Sequence, residues 1–166
     1  MVPSVQRTWA LKGKTPILTT AGSWSKISAI SAISVSPQRK RINLYIRLHP
    51  KKNIRWPEVI EFLKHLKRHL HRGFILLWDG GTPHRAAKTK QWLKEHPEVR
   101  AFRFPAYSPE LNPDEWVWNH LKRSVANGVP KDLADLQGSL VKPLRRIQRS
   151  DRLLWSCIHA SKLPWK

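Results

Sequence analysis

The stretch Phe74 to Arg85, FILLWDGGTPHR, joins an unbroken apolar run to an acid, a pair of glycines and the start of a helix. A short apolar run closed by turn residues is the pattern of a strand covered on both faces, and its carboxyl end falls at Asp79. Open α/β sheets hold ligands at that edge. The stretch therefore predicts a buried parallel strand that delivers one carboxylate to a ligand-binding edge.

The flanking sequence supplies the rest of a layered fold. Upstream, ISAISAISV (27–35) is uncharged and reads as a strand covered on both sides, its three-residue repetition being too brief for a repeat fold. RINLYIRL (41–48) alternates, with Ile42, Leu44, Ile46 and Leu48 facing one way and Arg41, Asn43, Tyr45 and Arg47 the other. With SPQRK as the turn between them, these two segments predict an antiparallel pair. The period then changes: Val59, Phe62, Leu63, Leu66 and Leu70 recur at helical spacing, with Pro57 near the start and Gly73 past the end. Beyond Asp79 the sequence predicts a helix over 84–96, a strand at VRAFRF (99–104) and a helix reaching about Asn127. The tail over 131–160 reads as helical, with a break near Pro143 and a fresh start around Ser150. Strand, strand, helix, strand, helix, strand, helices is the order of an α/β fold with a mixed sheet flanked by helices. The 166 residues fit one domain, 1–166, of which 131–166 forms a C-terminal helical tail.

Charge narrows the function. Thirty-one Lys and Arg stand against eleven Asp and Glu, a formal charge of +20, and no acid precedes Glu58. An excess on that scale points to a polyanion, nucleic acid ahead of an acidic membrane surface. Cys157 is the sole cysteine, which excludes an intrachain disulfide or a thiolate metal cluster and fits a reducing compartment. The first residues lack the apolar core of a secretory signal, and 27–35 is far too short to span a bilayer. The expectation is a cytoplasmic, nucleoid-associated protein with DNA as partner and no membrane.

Two acidic places stand out against that basic background. Asp79 at the mouth of its strand suits a metal or phosphate ligand; the plain alternative is a turn acid, since Asp before Gly is common in loops. The second place is YSPELNPDEWVWNHLK (107–122). There Asn112 can cap a helix, Pro113 open it, and Glu115 complete a capping box, while Asp114 and Glu115 favour the positive helix end. Capping alone would account for the acids. Pro105 and Pro109 also stiffen the approach and hold a carboxylate in a fixed place, which suits a ligand. Trp116 and Trp118, at helical spacing with Val117, Leu121 and Val125, read as core.

From about Val2 to Ser161 the chain resembles the catalytic domain of mariner-like insertion-sequence transposases, DDE superfamily endonucleases with a ribonuclease-H-like fold. VPSVQRTWALKGKTP looks like the segment after the family's first catalytic strand, LLWDGGTPHRA like its second-acid strand, and FPAYSPELNPDEWVWNHLKR like its third-acid motif. The resemblance implies Asp79 and Glu115 as catalytic residues and metal ligands, His84 as an auxiliary group, and Asp114 as a neighbour rather than a ligand. Gly80 stands where many relatives carry Asn. It also implies Mg²⁺ or Mn²⁺ in a two-metal site for DNA cleavage and strand transfer.

The first acid of the family's triad should lie on a strand before VPSVQRTW, and no acid in the first 57 residues can replace it. The expectation is accordingly an N-terminally truncated catalytic domain with its first strand missing, an incomplete metal site and no activity alone. An upstream transposase fragment would then supply the first acid as partner, and a homo-oligomer is compatible with the pattern. The competing expectation is a non-catalytic basic remnant that binds nucleic acid through Lys and Arg.

Overall fold

A computed structural model describes residues 10–14, 26–126, 128 and 130–164. Most of the VPSVQRTWALKGKTP segment lies outside them. Strands β1 (Ile27–Val35) and β2 (Ile42–Pro50) form an antiparallel hairpin with Val35 opposite Ile42, as their patterns predict. Helix α1 (Trp56–Leu70) follows, then β3 (Phe74–Trp78), the short α2 (Thr82–Arg85), α3 (Ala87–Glu95) and β4 (Val99–Arg103). β3 and β4 pair in parallel, Phe74 opposite Val99 and Trp78 opposite Arg103. Helices α4 (Asp114–Ser124), α5 (Leu133–Gln148) and α6 (Asp151–Ala160) complete the chain.

The hairpin is the middle layer. Ile27, Ile33, Val35, Ile42, Leu44, Ile46 and Leu48 pack with α4, α5 and α6, around Val117, Leu121, Leu140 and Leu154, which are fully buried. Ile30, Ala32 and Tyr45 pack instead with α1 and α3, where Val59, Phe62, Leu63, Leu66 and Trp92 are buried. β1 is thus covered on both faces, and the polar side of β2 is covered too: Tyr45 lies edge-on to His65 and His69 of α1, and Arg47 pairs with Glu61 at 2.7 Å.

Three expectations change. The helix expected over 84–96 is divided at Ala86, whose ψ of 142° is extended. The two pieces stay joined because Thr89 Oγ1, fully buried, donates to the Pro83 carbonyl at 2.8 Å. Pro143 does not break the tail: α5 runs continuously from Leu133 to Gln148 with the proline inside. Leu136, Leu140, Leu144 and Ile147 are all buried on one stripe, and that packing outweighs the single backbone bond a proline removes. The expected fresh start does occur, Ser150 Oγ accepting from the Leu153 amide at 3.2 Å.

The third change concerns β3. Phe74, Leu76 and Trp78 pack on α1 and α3, but Ile75 is 69% exposed, Leu77 46% and Phe102 of β4 55%. The strand is parallel as expected, yet among the described residues one of its faces is open. The described strands form two separate pairs, so each of the four keeps one edge with no partner strand among the described residues. No helix among the described residues is long and apolar enough to cross a membrane.

Leu140→Ala should cost about 3 kcal/mol, since it empties a fully buried position, whereas Ile75→Thr on the open face should stay within about 0.5 kcal/mol. Urea unfolding of both variants checks the contrast; a large loss at Ile75 would mean that this face is covered in solution.

Candidate active-site cleft

Asp79 follows the last residue of β3, and its geometry is set by the turn after it. Asp79 Oδ1 accepts from the Gly81 amide at 2.9 Å and from His84 Nδ1 at 2.7 Å. The His84 ring is stacked on Trp78 at 4.4 Å, with 11° between the planes, so the imidazole is fixed before it meets the acid. The hydrogen bond from His84 lowers the carboxyl below its usual range, the Gly81 amide acts in the same sense, and partial burial opposes both. Asp79 is an ionised, half-satisfied carboxylate, its Oδ1 engaged and its side chain still 64% exposed.

Glu115 arrives from the other half of the fold. Pro105, the 3₁₀ turn Pro109–Leu111 and Pro113 guide the chain into α4. The helix begins one residue later than expected, with Pro113 and not Asn112 at its N-cap position; Asn112, extended, still braces the turn, its Oδ1 accepting from the Asp114 amide at 3.1 Å. The capping box does not form. The Asn112 amide, which the Glu115 carboxylate would have to accept from, donates instead to the Pro109 carbonyl at 3.0 Å. The Glu115 carboxylate makes no hydrogen bond or ion pair among the described residues, so capping does not explain it.

Asp114 is turned the opposite way. Its Oδ2 accepts from Ser31 Oγ of β1 and from Trp118 Nε1 at 3.1 Å, while its Oδ1 is buried without a hydrogen-bond partner among the described residues. Burial raises this carboxyl to about 6, against the lowering effect of the two donors. It ties α4 to the hairpin and does not face the cleft.

Asp79 and Glu115 line one cleft of about 430 Å³. Asn112, Arg85, Arg103 and the loop Phe104–Pro109 complete the wall. Sequence patterns do not single out the two arginines. Arg103 is placed by register, opposite Trp78 at the end of the parallel ladder, and lies over Gly80, where an added Cβ would come within 2.8 Å of its Cδ. An Asn at position 80 would displace it. Tyr107, at the rim, is fully exposed with a left-handed φ of 54°.

The cleft thus combines two hard oxygen donors with two guanidinium groups, a set suited to a divalent cation and a phosphodiester together. Among the described residues no group of three His, Cys, Asp or Glu is placed to hold a metal. The donor set fits part of a cation site.

Comparisons with known proteins point the same way. Residues 2–137 match the family described as DDE superfamily endonuclease. The chain is 35% identical over 68 residues to the insertion element IS630 uncharacterized 39 kDa protein of Shigella sonnei, covering 40% of this chain and 20% of that protein. It superimposes on the Mos1 mariner paired-end complex with Mn at a TM-score of 0.64 and 17% identity, over 96% of this chain and 48% of that one. For the catalytic domain of the Mos1 mariner transposase the values are 0.52 and 20%, over 80% and 74%. The chain spans a fifth of the first relative and under half of the second.

The Asp114 carboxyl generates a pH signature. Its folded value lies above the unfolded one, so the fold binds the extra proton and its stability falls as pH rises from about 4 to 6, by roughly 2 to 3 kcal/mol at most. Asp114→Asn should flatten that segment of the pH–stability curve and be more stable than the wild type at pH 7 but not at pH 4. Thermal melts across the range check it.

Proposed function

The chain belongs to the DDE superfamily endonucleases, with the ribonuclease-H-like fold of transposase catalytic domains, and on that premise we propose that it takes part in metal-dependent cleavage and transfer of DNA strands during insertion-sequence transposition. The observation that carries the reading is the convergence of Asp79 and Glu115, from separate elements, on a cleft that also holds Arg85 and Arg103.

Each group has a part in this reading. Asp79 and Glu115 would hold Mg²⁺ or Mn²⁺, as hard oxygen donors do; the Mos1 catalytic domain has been solved with each of these metals. The bound cation supplies Lewis acidity, which acidifies a water or a 3′-hydroxyl and offsets charge on the phosphodiester. His84 fixes the rotamer of Asp79 and keeps it ionised. Arg85 and Arg103 orient the phosphodiester, their guanidinium groups being matched to phosphate oxygens. Asn112 and Asp114 hold the first turn of α4 so that Glu115 meets the cleft.

A third carboxylate is needed for the family's full metal site, and no residue before Glu58 can provide it. It would come from a strand carried by a preceding transposase segment. The described strand pairs leave edges without a described partner strand, at which such a strand could pair. A second reading, a DNA-binding protein without catalysis, is favoured by the absence of a third ligand among the described residues.

Nicking of supercoiled plasmid with Mg²⁺ decides between them. The 166-residue chain should be inactive alone and gain activity when joined to an upstream segment that bears an Asp on a strand. In that joined protein Glu115→Gln and Asp79→Asn should each reduce nicking by about a hundredfold or more while leaving DNA binding within a few-fold. Nicking by the chain alone, lost on Glu115→Gln, would overturn the incomplete-site reading; an inactive joined protein with normal stability would favour the non-catalytic one.

A further inference from the structure

Helix α5 presents a second basic surface away from the cleft. Lys142, Arg145, Arg146 and Arg149 recur at the spacing that aligns side chains along one face of a helix, opposite the buried stripe of Leu136, Leu140, Leu144 and Ile147. With Gly138 and Val141 they line a shallow hollow of about 390 Å³ that shares no residue with the Asp79–Glu115 cleft. None of the four cations is ion-paired among the described residues.

A solvated helix end explains part of this, since cations in a last turn complement the helix dipole. Lys142 lies before the last turn, and the dipole has no bearing on Gly138. A glycine in a helix interior lowers helix stability relative to alanine. Packing does not require it: a Cβ built on Gly138 meets nothing within 4 Å. A bare helix backbone beside a row of cations is what close approach by another backbone needs.

We propose that this face of α5 seats the sugar–phosphate backbone of duplex DNA, one strand approaching at Gly138 while Lys142, Arg145, Arg146 and Arg149 neutralise its phosphates. The proposal rests on the reading of the chain as DNA-acting and adds a contact outside the cleft. The dimensions agree: seven residues of helix span about 10 Å, over which one strand of a duplex presents about three phosphates. A membrane surface is a poorer occupant, because Val141 is the single exposed large apolar side chain on this face, and interfacial helices bury a broad apolar one.

The test is fluorescence anisotropy of a labelled duplex across a salt series, with the full chain. Lys142, Arg145, Arg146 and Arg149 changed together to Gln should lower low-salt affinity by roughly tenfold or more and flatten the salt slope by about three units, near 0.9 for each phosphate no longer neutralised. Lys64, Arg68, Lys88 and Lys94, exposed on α1 and α3, changed together to Gln carry the same charge loss and should flatten it by less than about one unit. Gly138→Leu should keep or raise the melting temperature and still weaken binding several-fold. Equal losses from the two four-residue variants, or a lower melting temperature with unchanged affinity for Gly138→Leu, overturn the proposal and leave the cleft reading standing. Unchanged DNA binding by the α5 variant with lost binding to phosphatidylserine vesicles overturns DNA as the occupant. No DNA binding by the wild type overturns both this proposal and the DNA-acting reading.

Discussion

Successive residues of an α-helix point about 100° apart, and the first turn of α4 turns that geometry into a division of labour. Asp114 is tied to the hairpin by Ser31 and held in that orientation by Trp118 of its own helix. Glu115, one step on, is then rotated out of that interface and into the cleft. The orientation is not left to the helix alone, because Asn112 accepts from the Asp114 amide with its side chain and closes the preceding 3₁₀ turn with its own amide. A buried carboxyl is costly, and here the cost falls on the acid that anchors rather than on the one offered to solvent. The burial that raises Asp114 fixes where its neighbour points.

Other acids of this basic chain are largely engaged close to home. Glu61 pairs with Arg47, Glu98 with Lys67, and the Glu58 carboxylate accepts from the Arg55 amide at the start of α1. Asp132 and Asp135 cap and brace the start of α5. Against that background the two cleft carboxylates differ from each other in an informative way. Asp79 is pre-set by a histidine that is itself stacked on Trp78, whereas Glu115 has no hydrogen-bond or ion-pair partner among the described residues. One is a fixed acceptor; the other is held only by its place on the helix. Arg85 and Arg103 on the same wall oppose a bare cation and favour a phosphate, so cation and phosphodiester should enter each more readily in the presence of the other.

Much of this is legible in the sequence because local rules and tertiary packing agree there. Alternation in 41–48, helical spacing in 56–70 and the abrupt end of FILLW each give an element of the right kind, and the resemblance singles out Asp79 and Glu115, which do line one cleft. The failures share a cause. At Pro143 and over 84–96 the expectation rests on propensity, whereas a four-residue buried stripe keeps α5 whole in one case, and in the other the extended backbone of Ala86 divides the helix while the Thr89–Pro83 bond holds its pieces together. An apolar run such as FILLW cannot tell covered from open faces, since the side chains are the same in both. Arg103 is invisible for a different reason: it reaches the cleft through parallel register, which is fixed by the pairing of β3 with β4 and not by any pattern within either strand.

The cleft spans two cores. Asp79 and Arg103 hang from β3 and β4, which pack on α1 and α3, while Glu115 belongs to the α4–α5–α6 side. No hydrogen bond or ion pair joins the two carboxylates, so their separation is transmitted through the element common to both cores. That element is the β1–β2 hairpin: Ile30, Ala32 and Tyr45 enter one core, Ile33, Val35 and Leu44 the other, and Ser31 holds Asp114. The spacing of the two carboxylates therefore rests on side-chain packing against the hairpin and on the connection over residues 104–113 that carries the chain from β4 into α4, a looser constraint than the fixed distance between hydrogen-bonded strands.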